Sequence, residues 1–131
     1  DDFKLIDFFT PNETEAEFYL NKKIETEKDI KSASEEFLKK GIKNVIITLG
    51  EKGCYFANNK ENFFMNAFKF KGPVLDTTGA GDAFNGALAV GLSKDLDIKE
   101  VLAFANKVAA ISTTKQGAAA SMPSMEDLKN Y

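Results

Sequence analysis

The chain has 131 residues, 44% of them hydrophobic, with a formal net charge of −3, a single cysteine and no histidine. These values allow one domain, or a large part of one, with a real buried core, and they exclude a disordered acidic tail and a basic nucleic-acid footprint. No histidine means no His-assisted nucleophile and no His-ligated zinc or iron, so acid–base chemistry falls to carboxylates, lysines and tyrosines.

Leu5 to Phe9 is a short apolar run stopped by Thr10-Pro11 and reads as a buried strand feeding a turn. Asn12 then stands where a helix N-cap would, with Glu15 three residues on. That is capping-box spacing, and a capped helix end is also a place for an anion and its metal. From Thr26 to Lys40, Ile30, Ala33, Phe37 and Leu38 recur at helical spacing before a stop at Gly41. Val45 to Leu49 is continuous and β-branched, as in a parallel strand covered on both sides, which makes the class α/β. Thr48 and Gly50 fall at the carboxyl end of that strand, where open α/β sheets bind ligands. The segment Gly50 to Gly53 reads equally as a plain hairpin turn, because Gly53 to Ala57 looks like the next strand.

A polar turn at Asn58 to Asn62 leads to a further strand, Phe63 to Phe68, whose aromatics suit packing better than base stacking. Cys54 reads as a small apolar strand residue; being alone, it forms no intramolecular disulfide and fits a reducing cytoplasm. A short strand at Val74-Leu75 delivers the run Asp76 to Asp82. One helix follows, carrying Ala83, Ala87, Leu88, Gly91 and Leu92. Another begins near Asp97 and passes Val101, Leu102, Ala105, Val108, Ala109 and Ile111. Ser124 looks like the cap of a short terminal helix.

The run Asp76-Thr77-Thr78-Gly79-Ala80-Gly81-Asp82 sets a lone carboxylate, Asp82, against a glycine turn that opens a helix. The amides of such a turn and the helix dipole attract anions. A carboxylate at that place suits the removal of a proton from a hydroxyl attacking a phosphoryl group. Two other glycine motifs fail. The dinucleotide fingerprint would need glycine where Phe84 stands, and the P-loop would need lysine and Ser/Thr where Ala87 and Leu88 stand. A bare strand-to-helix turn, with Asp82 merely favouring the dipole, remains the bland reading.

The full run resembles the second signature of the ribokinase-like sugar kinases of the PfkB superfamily. Asn12-Glu13-Thr14-Glu15 is similar to the family's Asn-x-x-Glu motif, Thr48 to Gly53 to its nucleotide-phosphate turn, and Lys115-Gln116-Gly117-Ala118 with Ser121 and Pro123 to its cation-enclosing tail. The resemblance spans residues 11 to 123. It implies a three-layer α/β/α fold with a mostly parallel sheet and an antiparallel hairpin. The chain would be the C-terminal nucleotide-binding and catalytic part, residues 1–131, of a longer kinase whose N-terminal half and lid carry most sugar contacts.

What the resemblance implies for the site is specific. Asp82 is the base, with the amides of Gly79, Ala80 and Gly81 as the anion hole. Asn12, Thr48, Gly50, Gly53 and Asn106 lie along the ATP, and Glu15 organises Mg2+. Asp76, Thr78, Ser112, Lys115, Gly117 and Ser121 enclose K+. The implied reaction is ATP-dependent phosphorylation of D-ribose at its 5-hydroxyl by a parent enzyme that is cytoplasmic and homodimeric, with the isolated part inactive. A fructose or nucleoside kinase of the same family, or a non-catalytic nucleotide-binding module, would use the same features. Neither nucleic acid nor membrane is an expected partner.

Overall fold

The β-branched and aromatic runs of the first half form a sheet and the small-residue runs of the second half form paired helices, in a computed structural model that describes residues 2–70, 72–77 and 79–114. The chain divides into two units, Asp1–Asn66 and Ala67–Tyr131. The terminal helix expected at Ser124 lies outside the described residues.

In the first unit a 3-10 turn (Asp2–Leu5) precedes β1 (Phe8–Phe9), α1 (Glu13–Leu20), α2 (Glu27–Lys39) and β2 (Asn44–Thr48). A second 3-10 turn (Gly50–Lys52), β3 (Cys54–Asn58) and β4 (Asn62–Met65) complete it. The sheet order is β1-β2-β3-β4. β1 is parallel to β2, with Phe9 opposite Val45, whereas β2–β3 and β3–β4 are antiparallel, with Ile46 opposite Phe56 and Phe56 opposite Phe63. The expected α/β class and hairpin are therefore present in a mixed sheet.

The run Leu5 to Phe9 is not one strand. Only Phe8 and Phe9 pair, and Leu5 ends the first 3-10 turn at 85% exposure. The chain turns back there, with Ile6 N donating to Phe3 O at 3.2 Å, and this lets the Phe3 ring meet Phe9 and Phe37. Continuous apolarity does not separate a strand from a turn whose aromatics reach the core.

α2 buries Ile30, Ala33, Ser34 and Phe37, the i, i+3, i+4, i+7 stripe of an amphipathic helix. Leu38, expected on that face, is only partly buried, and Ser34 takes the central place with its hydroxyl unpaired. Phe37 is fully buried against Val45, Ile47, Tyr55 and Ala57 of the sheet's core face. Ile46, Phe56 and Cys54 alternate to the other face and are buried too, as a strand covered on both sides requires. Cys54 is thus the small buried strand residue expected.

Thr26 caps α2, its hydroxyl accepting from Asp29 N while Asp29 Oδ2 accepts from Thr26 N and Glu25 N, both at 3.0 Å. The backbone bonds from Glu25 and Thr26 hold the Asp29 carboxyl below its ordinary value of 3.8. A depressed folded-state value contributes stability that is present above the unfolded value and is lost as pH falls through the folded one. Asp29→Asn should therefore be less stable than the unsubstituted chain at neutral pH, and denaturant titrations should show the gap closing below the ordinary carboxylate range.

The second unit contains α3 (Ala80–Ser93) and α4 (Ile98–Ser112), the latter capped by Asp97, whose Oδ2 accepts from Lys99 N at 3.3 Å. Ala83, Ala87 and Gly91 are buried on α3, facing a pair that packs closely. A Cβ added at Gly91 would lie 2.8 Å from Val101 Cγ1. Overpacking costs about 1–3 kcal/mol and outweighs the helix preference of alanine over glycine, about 1 kcal/mol. Gly91→Ala should lower the melting temperature, whereas in a Val101→Ala background the same change should raise it. A destabilised double variant would show that the contact is not the cause.

Candidate functional site

In the first unit, the carboxyl end of the parallel pair gathers residues that are distant in sequence. Thr48 N donates to Pro11 O at 2.9 Å, and Asn12 and Thr48 form a parallel bridge, so the residue opening α1 sits beside the residue ending β2. Asn12 Oδ1 accepts from Glu15 N at 2.8 Å, and Glu15 Oε1 accepts from Asn12 N at 2.9 Å. The capping box is real, and both residues are exposed. Just beyond Thr48 the chain makes its tight 3-10 turn, with Gly53 N donating to Gly50 O at 3.1 Å and Leu49 N donating to Gly53 O at 2.8 Å. Gly53 has φ 104° and ψ −128°, a conformation that L side chains avoid. Asn12, Glu15, Thr48, Gly50 and Gly53 thus share one polar edge offering an amide, a carboxylate, a hydroxyl and a glycine turn.

In the second unit, Val74-Leu75 is not a strand. Residues 72–77 are irregular, and their amides are held from elsewhere: Leu75 N and Asp76 N both donate to the Thr113 carbonyl, at 2.8 and 3.1 Å. Two apolar residues between Pro73 and the glycine turn are too short to specify pairing, and a helix end satisfies them instead. Gly79 is the N-cap of α3 in the left-handed region, φ 83°, where glycine carries no penalty. Gly81 is different. It lies inside the helix and is exposed, and a Cβ there would meet nothing within 4 Å.

Ala83 N donates to Gly79 O at 2.9 Å, and the amides of Gly81 and Asp82 lie in the first turn of α3. Gly79, the N-cap, makes no side-chain cap bond. The Ala80 amide, expected to join the anion hole, donates to Thr77 O at 3.2 Å because the turn closes on itself. Asp82 is exposed in the first turn of α3. What the arrangement offers is a positive helix end, the amides of its first turn and one carboxylate.

Asn106 is buried on α4 at 7% exposure. Ser112 is fully buried at the end of the same helix, its hydroxyl donating to Ala109 O at 2.6 Å. Thr113, the residue after Ser112, therefore ties the backbone of Asp76 to the end of α4. Thr78, Lys115, Gly117 and Ser121 lie outside the described residues. Thr113 was not among the residues singled out from the sequence. Because it acts through a backbone carbonyl, residue type carries no direct signal, and the only hint is the hydroxyl run Ser112-Thr113-Thr114 after an alanine-rich helix.

The family of pfkB carbohydrate kinases matches residues 3–125. The chain belongs to that family. Within it, the pfkB-family chain is 41% identical over 125 residues to a ribokinase of Staphylococcus aureus, covering 95% of this chain and 40% of the relative. It is 36% identical to a deoxyribokinase of Salmonella typhi over 95% of this chain and 40% of that protein. The structure of Arabidopsis thaliana ribokinase complexed with ribose and ATP superposes with a TM-score of 0.91 at 32% identity, over 98% of this chain and 41% of that one. The pfkB-family chain thus spans about 40% of the length of the curated relatives it matches. No helix among the described residues is long and apolar enough to cross a membrane.

Proposed function

We propose that this chain is the C-terminal, nucleotide-binding and catalytic part of a sugar kinase that transfers a phosphoryl group from ATP to the 5-hydroxyl of D-ribose. The observation that carries the reading is the start of α3. Gly79 needs its glycine for a left-handed turn, but Gly81 does not, since no positive φ is required of it and a Cβ would stand in open space. Gly81 is the second residue of α3, where alanine would meet nothing, so a glycine there is explained by something that approaches the backbone closely. A phosphate at the amides of this first turn fits.

In this reading Asp82 takes the proton of the attacking sugar hydroxyl, while the Gly79, Gly81 and Asp82 amides face the charge that develops on phosphate oxygens. Thr48, Gly50 and Gly53 hold the nucleotide phosphates, with Asn12 near them, and Asn106 approaches the base. Glu15 organises the waters of Mg2+, an ion that keeps much of its hydration and offsets phosphate charge. This suits the donor present, a single exposed carboxylate whose Oε1 already accepts from Asn12 N. Asp76 and Ser112, with Thr78, Lys115, Gly117 and Ser121, hold K+, which stiffens the turn electrostatically.

The similarity to a ribokinase solved with ribose and ATP supports ribose as acceptor, and the 36% identity to a deoxyribokinase makes 2-deoxyribose the second reading. The deciding variant is Gly81→Ala in the parent enzyme. It should melt at or above the unsubstituted temperature, by helix propensity, yet lose at least about tenfold in ribose-dependent ADP formation, as expected when a preorganised donor site is obstructed. Full activity in that variant would leave the α3 terminus without a phosphate-binding role.

A further inference from the structure

The irregular lead-in to α3 is fastened to the residue that caps α4. Leu75 is 55% exposed and belongs to no strand, yet its amide and that of Asp76 both donate to the Thr113 carbonyl. Thr113 is the C-cap of α4, at φ −71° and ψ −11°. Its own hydroxyl donates to Ala110 O at 2.6 Å, while the Ser112 and Thr114 hydroxyls donate to Ala109 O and Ile111 O at 2.6 and 2.7 Å. Ala110 O and Ile111 O also accept from Thr113 N and Thr114 N, at 3.2 and 3.0 Å, so each of these two carbonyls receives a backbone N–H and a hydroxyl together. The turn is thereby held in helical geometry, which aims the Thr113 carbonyl outward at the two amides. On the other side, Thr77 O accepts from Ala80 N at 3.2 Å. Asp76 and Thr77, adjacent in sequence, thus tie the lead-in to the end of α4 and to the first turn of α3.

We propose that Thr113 is a positioning residue for phosphoryl transfer: its carbonyl, aimed by its own hydroxyl bond, anchors Leu75 and Asp76 and so sets where Asp82 and the neighbouring amides stand. The inference rests on the reading of Asp82 as the base. Thr113 touches no reacting atom, and its effect passes through the backbone of residues 75–77. Alignment of reacting groups is sensitive to small displacements, so loosening this anchor reduces turnover more than it reduces nucleotide affinity.

The test compares Thr113→Val, Thr113→Ser and Thr114→Val in the parent kinase, by amide hydrogen exchange at Leu75 and Asp76 and by steady-state kinetics. Both amides should be protected in the unsubstituted enzyme. Thr113→Val should speed their exchange by about five- to tenfold, the size expected for one lost hydroxyl bond, and lower kcat by a similar factor with KM for ATP unchanged. Thr113→Ser, which keeps the hydroxyl, should restore both. Thr114→Val removes the same kind of bond from a residue whose carbonyl holds neither amide, and should leave kcat unchanged. Unprotected amides in the unsubstituted enzyme, faster exchange without loss of kcat, or equal losses in Thr113→Val and Thr114→Val would each overturn the proposal. Asp82→Asn, run beside them, separates the two readings. If it retains kcat while Thr113→Val still frees the amides and slows turnover, the base assignment fails and the anchoring role stands.

Discussion

Asp82→Asn should lower kcat of the parent kinase by about a hundredfold or more while leaving nucleotide affinity intact, because general-base contributions are of that order and are made only in the transition state. The substitution keeps shape and hydrogen-bonding capacity and removes only the charge and the ability to accept a proton. Asp82 lies exposed in the first turn of α3, so the change disturbs no core contact. Loss of a negative charge beside the proposed phosphate site should not weaken nucleotide binding. Isothermal titration with Mg-ADP and a coupled assay of ribose phosphorylation check the two halves separately. Near-normal kcat would remove Asp82 from the mechanism, and lost nucleotide binding would make it a structural cap of the turn instead.

Phe37→Ala should destabilise the first unit by about 3–5 kcal/mol, the range for removing a buried aromatic and leaving its cavity. The ring is fully buried, meets Phe9 edge-on at 5.0 Å and lies 6.5 Å from Phe3. Against a net stability of about 5–15 kcal/mol for a typical domain, that loss is a large fraction. Tyr19 and Tyr55 both belong to this unit, so denaturant unfolding followed by the tyrosine near-ultraviolet signal reports on it. Phe37→Leu should retain most of the stability. A small effect of Phe37→Ala would mean that neighbouring aromatics collapse into the space. If Thr48 holds nucleotide as proposed, Phe37→Ala should also weaken nucleotide binding by the parent, since β2, which Phe37 supports, ends at Thr48.

The features legible in the sequence share a short reach. Asn12 with Glu15 and Thr26 with Asp29 form capping boxes because the bonded groups are three residues apart, and no distant segment is needed to make them. The strands at Val45 and Cys54 and the two small-residue helices followed from runs long enough to carry a period, and the α/β class followed from their alternation. The family resemblance was legible for the same reason, each motif being a contiguous run.

What only the tertiary structure decided involves partners far apart along the chain or groups that residue type does not reveal. Ser34 occupies the middle of the α2 stripe because the helix's register against β2 and β3 places it there, although a hydroxyl has no apolar signature. Leu5 is exposed because the chain turns back to bring Phe3 onto Phe37, so its apolarity misled. Gly79 and Gly81 look alike as letters, yet backbone conformation separates one that a left-handed turn requires from one that leaves open space. The segment before Asp76 lacks a strand because its amides find the Thr113 carbonyl, a main-chain group at the end of a helix that begins beyond α3. Every residue carries such a carbonyl, so sequence alone specifies the local caps and periods, while the choice of which distant backbone groups pair belongs to the packed fold.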